Sequence, residues 1–240
     1  MAEQTGRRLF EAVADGSHQG VTSSMPTKDY SPEEIAEQQY QSALVACGFR
    51  RDEIMPESFD PKIQPKGKQR DDARVALAAV KDWVNGDLTW ITFAGPPGTG
   101  KSHLLKAAIW RLHNRGESAF YITGYEFDRY IKDFEQSMAK VTPDEWVERL
   151  ANNVQYLVLD DLGSGMKASD YNISRLERVF DIRARRGLPT GTAFNMLPDE
   201  LETIVGMRVF SRLKDARLGR IVPMRCEDAR PLLTSGQEEA

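Results

Sequence analysis

Gly95-Pro96-Pro97-Gly98-Thr99-Gly100-Lys101-Ser102 decides how the rest of the chain is read. It fits the phosphate-loop pattern G-x-x-x-x-G-K-[ST]. Glycines let such a loop curl until successive backbone N–H groups point inward at phosphate oxygens. The helix expected over residues 102–114 turns its positive N-terminal end toward the same anion. Lys101 is expected to reach the β- and γ-phosphates and the Ser102 hydroxyl to ligate Mg²⁺, with His103 continuing the nucleotide-contacting stretch. The implied ligands are ATP and Mg²⁺. Residues 88–94 read as a buried strand running straight into the glycines, which is the context this motif requires.

Outward from the loop, strands alternate with helices. Residues 71–84 carry Val75, Leu77, Val80, Trp83 and Val84 at roughly helical spacing, and Asn85-Gly86 ends the run. Further strands are expected at 119–123, 154–160, 190–195 and 220–223. This alternation predicts an α/β fold, a five-stranded parallel sheet with helices on both faces and ligands at the strands' carboxyl ends. Two helices are expected at 125–139 and 143–151, where one would suffice to reverse the chain. The second is either a functional insertion or an ordinary surface helix.

The third strand ends in Asp160-Asp161. A carboxylate at a strand tip can approach the metal beside the loop, which makes Asp160 the metal-side acid and, with Ser102, the expected Mg²⁺ site. Asp161 would face the γ-phosphate and polarise the attacking water, or else cap the turn before Gly163. Asn195, at the tip of the fourth strand between the first and third, would bond the γ-phosphate or the water, or serve as a turn residue. Arg208 and Arg212 are one helical turn apart and suited to grip a phosphate, including a neighbouring subunit's. Two surface salt bridges are the other reading of that spacing.

The chain's 240 residues are 40% hydrophobic and 28% charged, an ordinary globular composition. Mean hydropathy is -0.50, and no apolar run approaches the roughly 20 residues of a membrane span. The first residues lack a signal peptide's apolar core, so a cytoplasmic location with no membrane partner is expected. Two cysteines and three scattered histidines exclude a disulfide framework and a structural zinc site. Residues 1–54 read as a flexible leader followed by a small helical docking element. That element opens at Ser31-Pro32-Glu33-Glu34 and stops at Gly48. The first sixty residues carry about twice as many acids as bases, whereas Arg175, Arg178, Arg183, Arg185 and Arg186 crowd one later stretch, a contrast that suggests separate partners for the two ends.

Glu57-Ser58-Phe59-Asp60, the loop from Gly95 to Ser102, Leu159-Asp160-Asp161-Leu162-Gly163, Asn195, and Gly206-Met207-Arg208-Val209-Phe210-Ser211-Arg212-Leu213 occur in this order. Together they resemble the DnaC/IstB-type AAA+ ATPases, which are bacterial and phage replicative-helicase loaders together with IstB-type transposition helpers. The resemblance covers residues 55–230 and leaves 231–240 as a tail. It implies sheet order 5-1-4-3-2, Asp160-Asp161 as the Walker B pair, Asn195 as sensor 1 and Arg212 as an arginine finger. Arg208 would be a secondary interface or phosphate contact. Phe59 would pack on adenine or anchor the linker to the core. Many AAA+ proteins have Glu in place of Asp161, although this subgroup commonly has Asp-Asp. About seventeen residues follow Pro223, too few for a helical lid domain.

What the resemblance implies is an ATP-dependent helicase loader that hydrolyses ATP, slowly unless a partner closes the site. It would hold a replicative ring helicase through the N-terminal segment, bind single-stranded DNA and self-associate through the arginine finger. Arg129, Lys132 and Lys140 of the inserted helices are the expected DNA-facing residues. The alternatives are an IstB-like helper assembling on duplex DNA, or a binding module that uses ATP as a switch.

Overall fold

A computed structural model describes residues 59–136, 142–163 and 170–229. The expected leader, docking helix, C-terminal tail and Lys140 lie outside these residues. Five strands pair in one all-parallel sheet: β1 (Trp90–Ala94), β2 (Ala119–Thr123), β3 (Tyr156–Leu162), β4 (Thr190–Phe194) and β5 (Gly219–Pro223). Their order is 2-3-4-1-5, the expected order read from the opposite edge.

The period-2 alternation of each strand divides the interior into two cores. Ile91, Phe93, Tyr121, Val158 and Val222 face α1 (Lys68–Asn85) and α2 (Lys101–His113). Phe120, Ile122, Leu157, Leu159 and Phe194 face the other way. There they meet α3 (Gly124–Gln136), α4 (Pro143–Asn153), α5 (Asp170–Arg186) and α6 (Leu201–Leu213). Burial on both faces explains why the strands read as apolar runs. At the sheet centre the facing pair Thr92 and Thr192 satisfy each other, with hydroxyl oxygens 2.8 Å apart.

Local sequence sets the helix limits. α1 stops at Gly86, whose left-handed conformation lets its N–H reach the Asp82 and Trp83 carbonyls. α4 opens on a capping box, Thr142 with Glu145, with Pro143 in the first turn. The expected two helices between β2 and β3 are both present, and Trp146 of α4 is buried against Phe127 and Tyr130 of α3.

Two of the five arginines in the arginine-rich stretch on α5, Arg175 and Arg183, are turned into the fold, while Arg178, Arg185 and Arg186 are exposed. Arg183 is fully buried. Its guanidinium donates to the Ala151, Val154, Gln155 and Pro189 carbonyls and to the Thr190 hydroxyl, at 2.7–3.1 Å. One side chain thereby ties the end of α4 and the starts of β3 and β4 together. Burial pulls its pKa down to about 9, so it stays charged at neutral pH. Arg175 is also buried and pairs with Asp144 at 3.2 Å. Arg178 is exposed and pairs with Glu148 of α4.

Candidate nucleotide site

The phosphate loop joins β1 to α2 at the sheet's carboxyl edge. Gly98 and Gly100 both have positive φ, 80° and 94°, the region only glycine enters without strain. Lys101 is buried, and its ammonium donates back to the loop: to the Gly95 carbonyl at 2.9 Å and the Pro96 carbonyl at 2.6 Å. Thr99 is buried, and its hydroxyl donates to the Pro96 carbonyl at 3.0 Å. The loop is thus preshaped by its own side chains, and the lysine is at its centre.

Two segments press on the loop from outside. Phe59 lies over Gly100, where an added Cβ would come within 2.7 Å of the ring. The same ring stacks on His103, with centroids 6.2 Å apart. Phe59 thus packs the start of the described chain against the loop. From the other side comes the chain after β5. The Ala229 N–H donates to the Gly98 carbonyl at 3.0 Å, and a Cβ on Gly98 would overlap the Asp228 carboxylate. Gln64, buried, clasps the two segments. Its carboxamide donates to the Glu227 carbonyl at 3.1 Å and accepts from the Glu227 N–H at 2.9 Å. Neither the clasp nor the strap over residues 224–229 had a sequence signal, because the clasp joins residues 163 positions apart and the strap reaches the loop across a similarly long stretch of chain.

Asp160 and Asp161 do not simply end β3; both lie within it. Leu159 faces Thr192 and Leu162 faces Phe194, so three steps on β3 match two on β4. The extra residue makes a β-bulge. Asp161 takes up the distortion with φ 51°, the one positive value among described non-glycine residues. The bulge separates the two carboxylates. Asp160, in alternation with Val158, is buried on the α2 side of the sheet. It accepts the Asp161 N–H at 2.8 Å and a short hydrogen bond from the Tyr121 hydroxyl. The Asp161 carboxylate accepts from the Asn195 amide at 2.5 Å. Asp161 and Asn195, 34 positions apart, form one unit.

Arg208 and Arg212 lie elsewhere. Gly206, at φ 77° and ψ 160°, interrupts α6 and starts a second helical segment. On that segment Arg208 pairs with Glu177 at 3.7 Å and Arg212 with Asp181 at 3.2 Å. Both acids belong to α5, and their one-turn spacing matches that of the arginines. Within a single chain these are surface ion pairs of small energy. Lys132 likewise pairs with Asp128 of its own helix, and Arg129 covers the Tyr130 ring.

The donor chemistry suits Mg²⁺. Ser102 and the buried Asp160 offer hard oxygen ligands, and a magnesium site takes its other ligands from phosphates and water. Among the described residues no group of three His, Cys, Asp or Glu side chains stands ready to hold a metal alone. No described helix is long and apolar enough to cross a membrane.

The sheet order, with a phosphate-loop sequence between β1 and α2 and an acid pair at β3, is that of an AAA+-type core fold. No protein-family model matches the chain. Residue by residue, it is similar to the replicative helicase loader DnaC of Escherichia coli (strain K12), with 30% identity over 142 residues, 58% of this chain and 57% of that one. The match thus spans little more than half the loader's length. Among solved structures it is similar to the DnaC helicase loader, with TM-score 0.56, 20% identity and coverage of 71% of this chain and 96% of that chain. It is also similar to the replication initiator DnaA bound to AMPPCP and single-stranded DNA, with TM-score 0.58, 24% identity and coverage of 76% and 53%.

Proposed function

We propose that the chain is an ATP-dependent loader of a replicative ring helicase, and that it hydrolyses ATP at the loop and acid pair described above. The observation that carries the reading is the Asp161–Asn195 unit at the bulge of β3, beside a preshaped loop whose lysine is buried. A positive-φ aspartate inside a strand is strained for a non-glycine residue, and such strain suits a group that must present its carboxylate in one direction. The similarity to DnaC supplies the class of partner.

In this reading, triphosphate binding draws the Lys101 ammonium from the Gly95 and Pro96 carbonyls onto the β- and γ-phosphates. Charge-assisted bonds to phosphate replace neutral ones. Ser102 and Asp160 would hold Mg²⁺, which neutralises charge on the phosphates when bound. Asp161, steadied by Asn195, orients the water whose oxygen attacks the γ-phosphorus. The bond to the ADP oxygen breaks, and the water's protons pass to phosphate and solvent. Arg212 stabilises that charge on a neighbouring subunit's nucleotide after leaving Asp181. Residues 1–54 hold the helicase, and the core binds single-stranded DNA.

The test measures phosphate release with and without single-stranded DNA, for the intact chain and for Lys101→Ala. A parallel pull-down uses a hexameric replicative helicase with residues 1–54 present and deleted. DNA-stimulated release that Lys101→Ala abolishes, with helicase retained only by the intact chain, is the expected result. Release unaffected by Lys101→Ala sinks the site assignment, and capture of a transposase in place of a helicase sinks the loader reading.

A further inference from the structure

The buried Asp160 carboxylate is held from behind by a residue of the edge strand. Tyr121 faces Val158 across the β2–β3 pair, and Thr123 faces Asp160. Tyr121 and Asp160 therefore stand diagonally, two residues apart along the same sheet face. That separation is too long for a small side chain but within the reach of tyrosine, whose hydroxyl donates to Asp160 Oδ2. The other oxygen, Oδ1, accepts the Asp161 N–H. With both oxygens engaged, the carboxylate has one orientation, and it points to the side of the sheet that carries α2.

The tyrosine is itself fixed. It is buried, and the Lys106 ammonium lies 5.6 Å from its ring centroid, within cation–π range. Lys106 is one turn beyond Ser102 on α2, hence on the same helix face. Lys106, Tyr121 and Asp160 are thus linked by contact, with Ser102 on the same face of α2 as Lys106. A buried tyrosine needs a partner for its hydroxyl, and here that partner is the acid on the metal side.

We propose that Tyr121 is a positioning residue for the Mg²⁺-binding carboxylate, holding Asp160 in the orientation that receives the ion. The proposal rests on the reading of Asp160 as the metal-side acid. Hydrogen-bond partners behind metal ligands typically change metal affinity 10–100-fold when removed. Tyr121→Phe keeps the ring, its packing and the Lys106 contact, and deletes only the hydroxyl.

Binding of methylanthraniloyl-ATP is followed by fluorescence as Mg²⁺ is titrated, and again in EDTA. For Tyr121→Phe the Mg²⁺ midpoint is expected to rise about 10-fold, with affinity in EDTA equal to that of the unaltered chain. In an Asp160→Ala background, Tyr121→Phe should shift the midpoint no further, because the two act through one contact. Coincident midpoints for Tyr121→Phe and the unaltered chain overturn the proposal while leaving the metal-side role of Asp160 intact. A shift that persists without Asp160 also overturns it. Binding by the unaltered chain that ignores Mg²⁺ overturns the metal-side reading itself, and the proposal with it.

Discussion

The Asn195 amide lies 2.5 Å from the Asp161 carboxylate across the β3–β4 bulge, so the tip of one strand holds the acid of the next in place. Asn195→Ala frees that acid without removing it. Its expected signature is a fall in ATP turnover of about 10²-fold, similar to the loss in Asp161→Asn, with nucleotide affinity within about 3-fold of the unaltered chain because Lys101 is untouched. Single-turnover phosphate release beside equilibrium nucleotide binding separates the two quantities. Equal losses in both would assign Asn195 to ground-state binding.

Arg212 gives a different pattern. Its exposed contact with Asp181 contributes under about 1 kcal/mol, so Arg212→Ala should leave urea unfolding nearly unchanged. If the residue serves a neighbouring subunit, the variant should bind ATP as a monomer yet lose stimulated turnover by about 10³-fold. Mixing it with excess Asp161→Asn chains tests the sharing directly: activity should partly return, since each variant supplies what the other lacks. Absence of recovery in chains that still associate argues against a trans role.

Arg183 concerns the fold alone. Replacing it with Met leaves the buried Ala151 and Val154 carbonyls, the Gln155 carbonyl and the Thr190 hydroxyl short of a donor, while the Pro189 carbonyl keeps the Leu157 N–H. Each loss is worth about 1–3 kcal/mol if water cannot substitute. The expected loss is at least about 3 kcal/mol, a fall in melting temperature of roughly 6–12 °C. A change under about 2 °C in calorimetry would show that the cavity fills with water.

How much of this was legible beforehand divides along sequence distance. The strands were legible because each carries its own period, their order came from the family resemblance, Lys101 stood out within the glycine loop, and Asp160 and Asn195 stood out toward the carboxyl ends of strands. The bulge did not, since a register shift belongs to two strands at once and neither sequence shows it. Arg183 misled for a related reason. A guanidinium that caps carbonyls is indistinguishable in one dimension from a guanidinium facing a partner. Gln64 and Tyr121 gave still less, their partners being 163 and 39 positions away.

The clasp predicts a pH-dependent reporter. Cys226, in the strap, is buried and bonds the Gln69 carbonyl. Burial, with Asp72 nearby, pushes its thiol up to about 11. In a Cys47→Ser background, alkylation at pH 8 should run roughly 10²-fold slower than for an ordinary thiol and accelerate as pH rises toward that value, since the thiolate is the nucleophile. Gln64→Ala removes both bonds to Glu227 and should raise the rate at pH 8 several-fold. Mass spectrometry of the Cys226 peptide reads it directly, and equal rates would mean the strap stays closed without Gln64.

Phe59 and Ala229 bracket the described core in sequence, and both touch the same curl of glycines. A triphosphate that reshaped this curl would press on both ends of the described core at once, so that occupancy of the loop and the seating of Phe59 and Ala229 become one event.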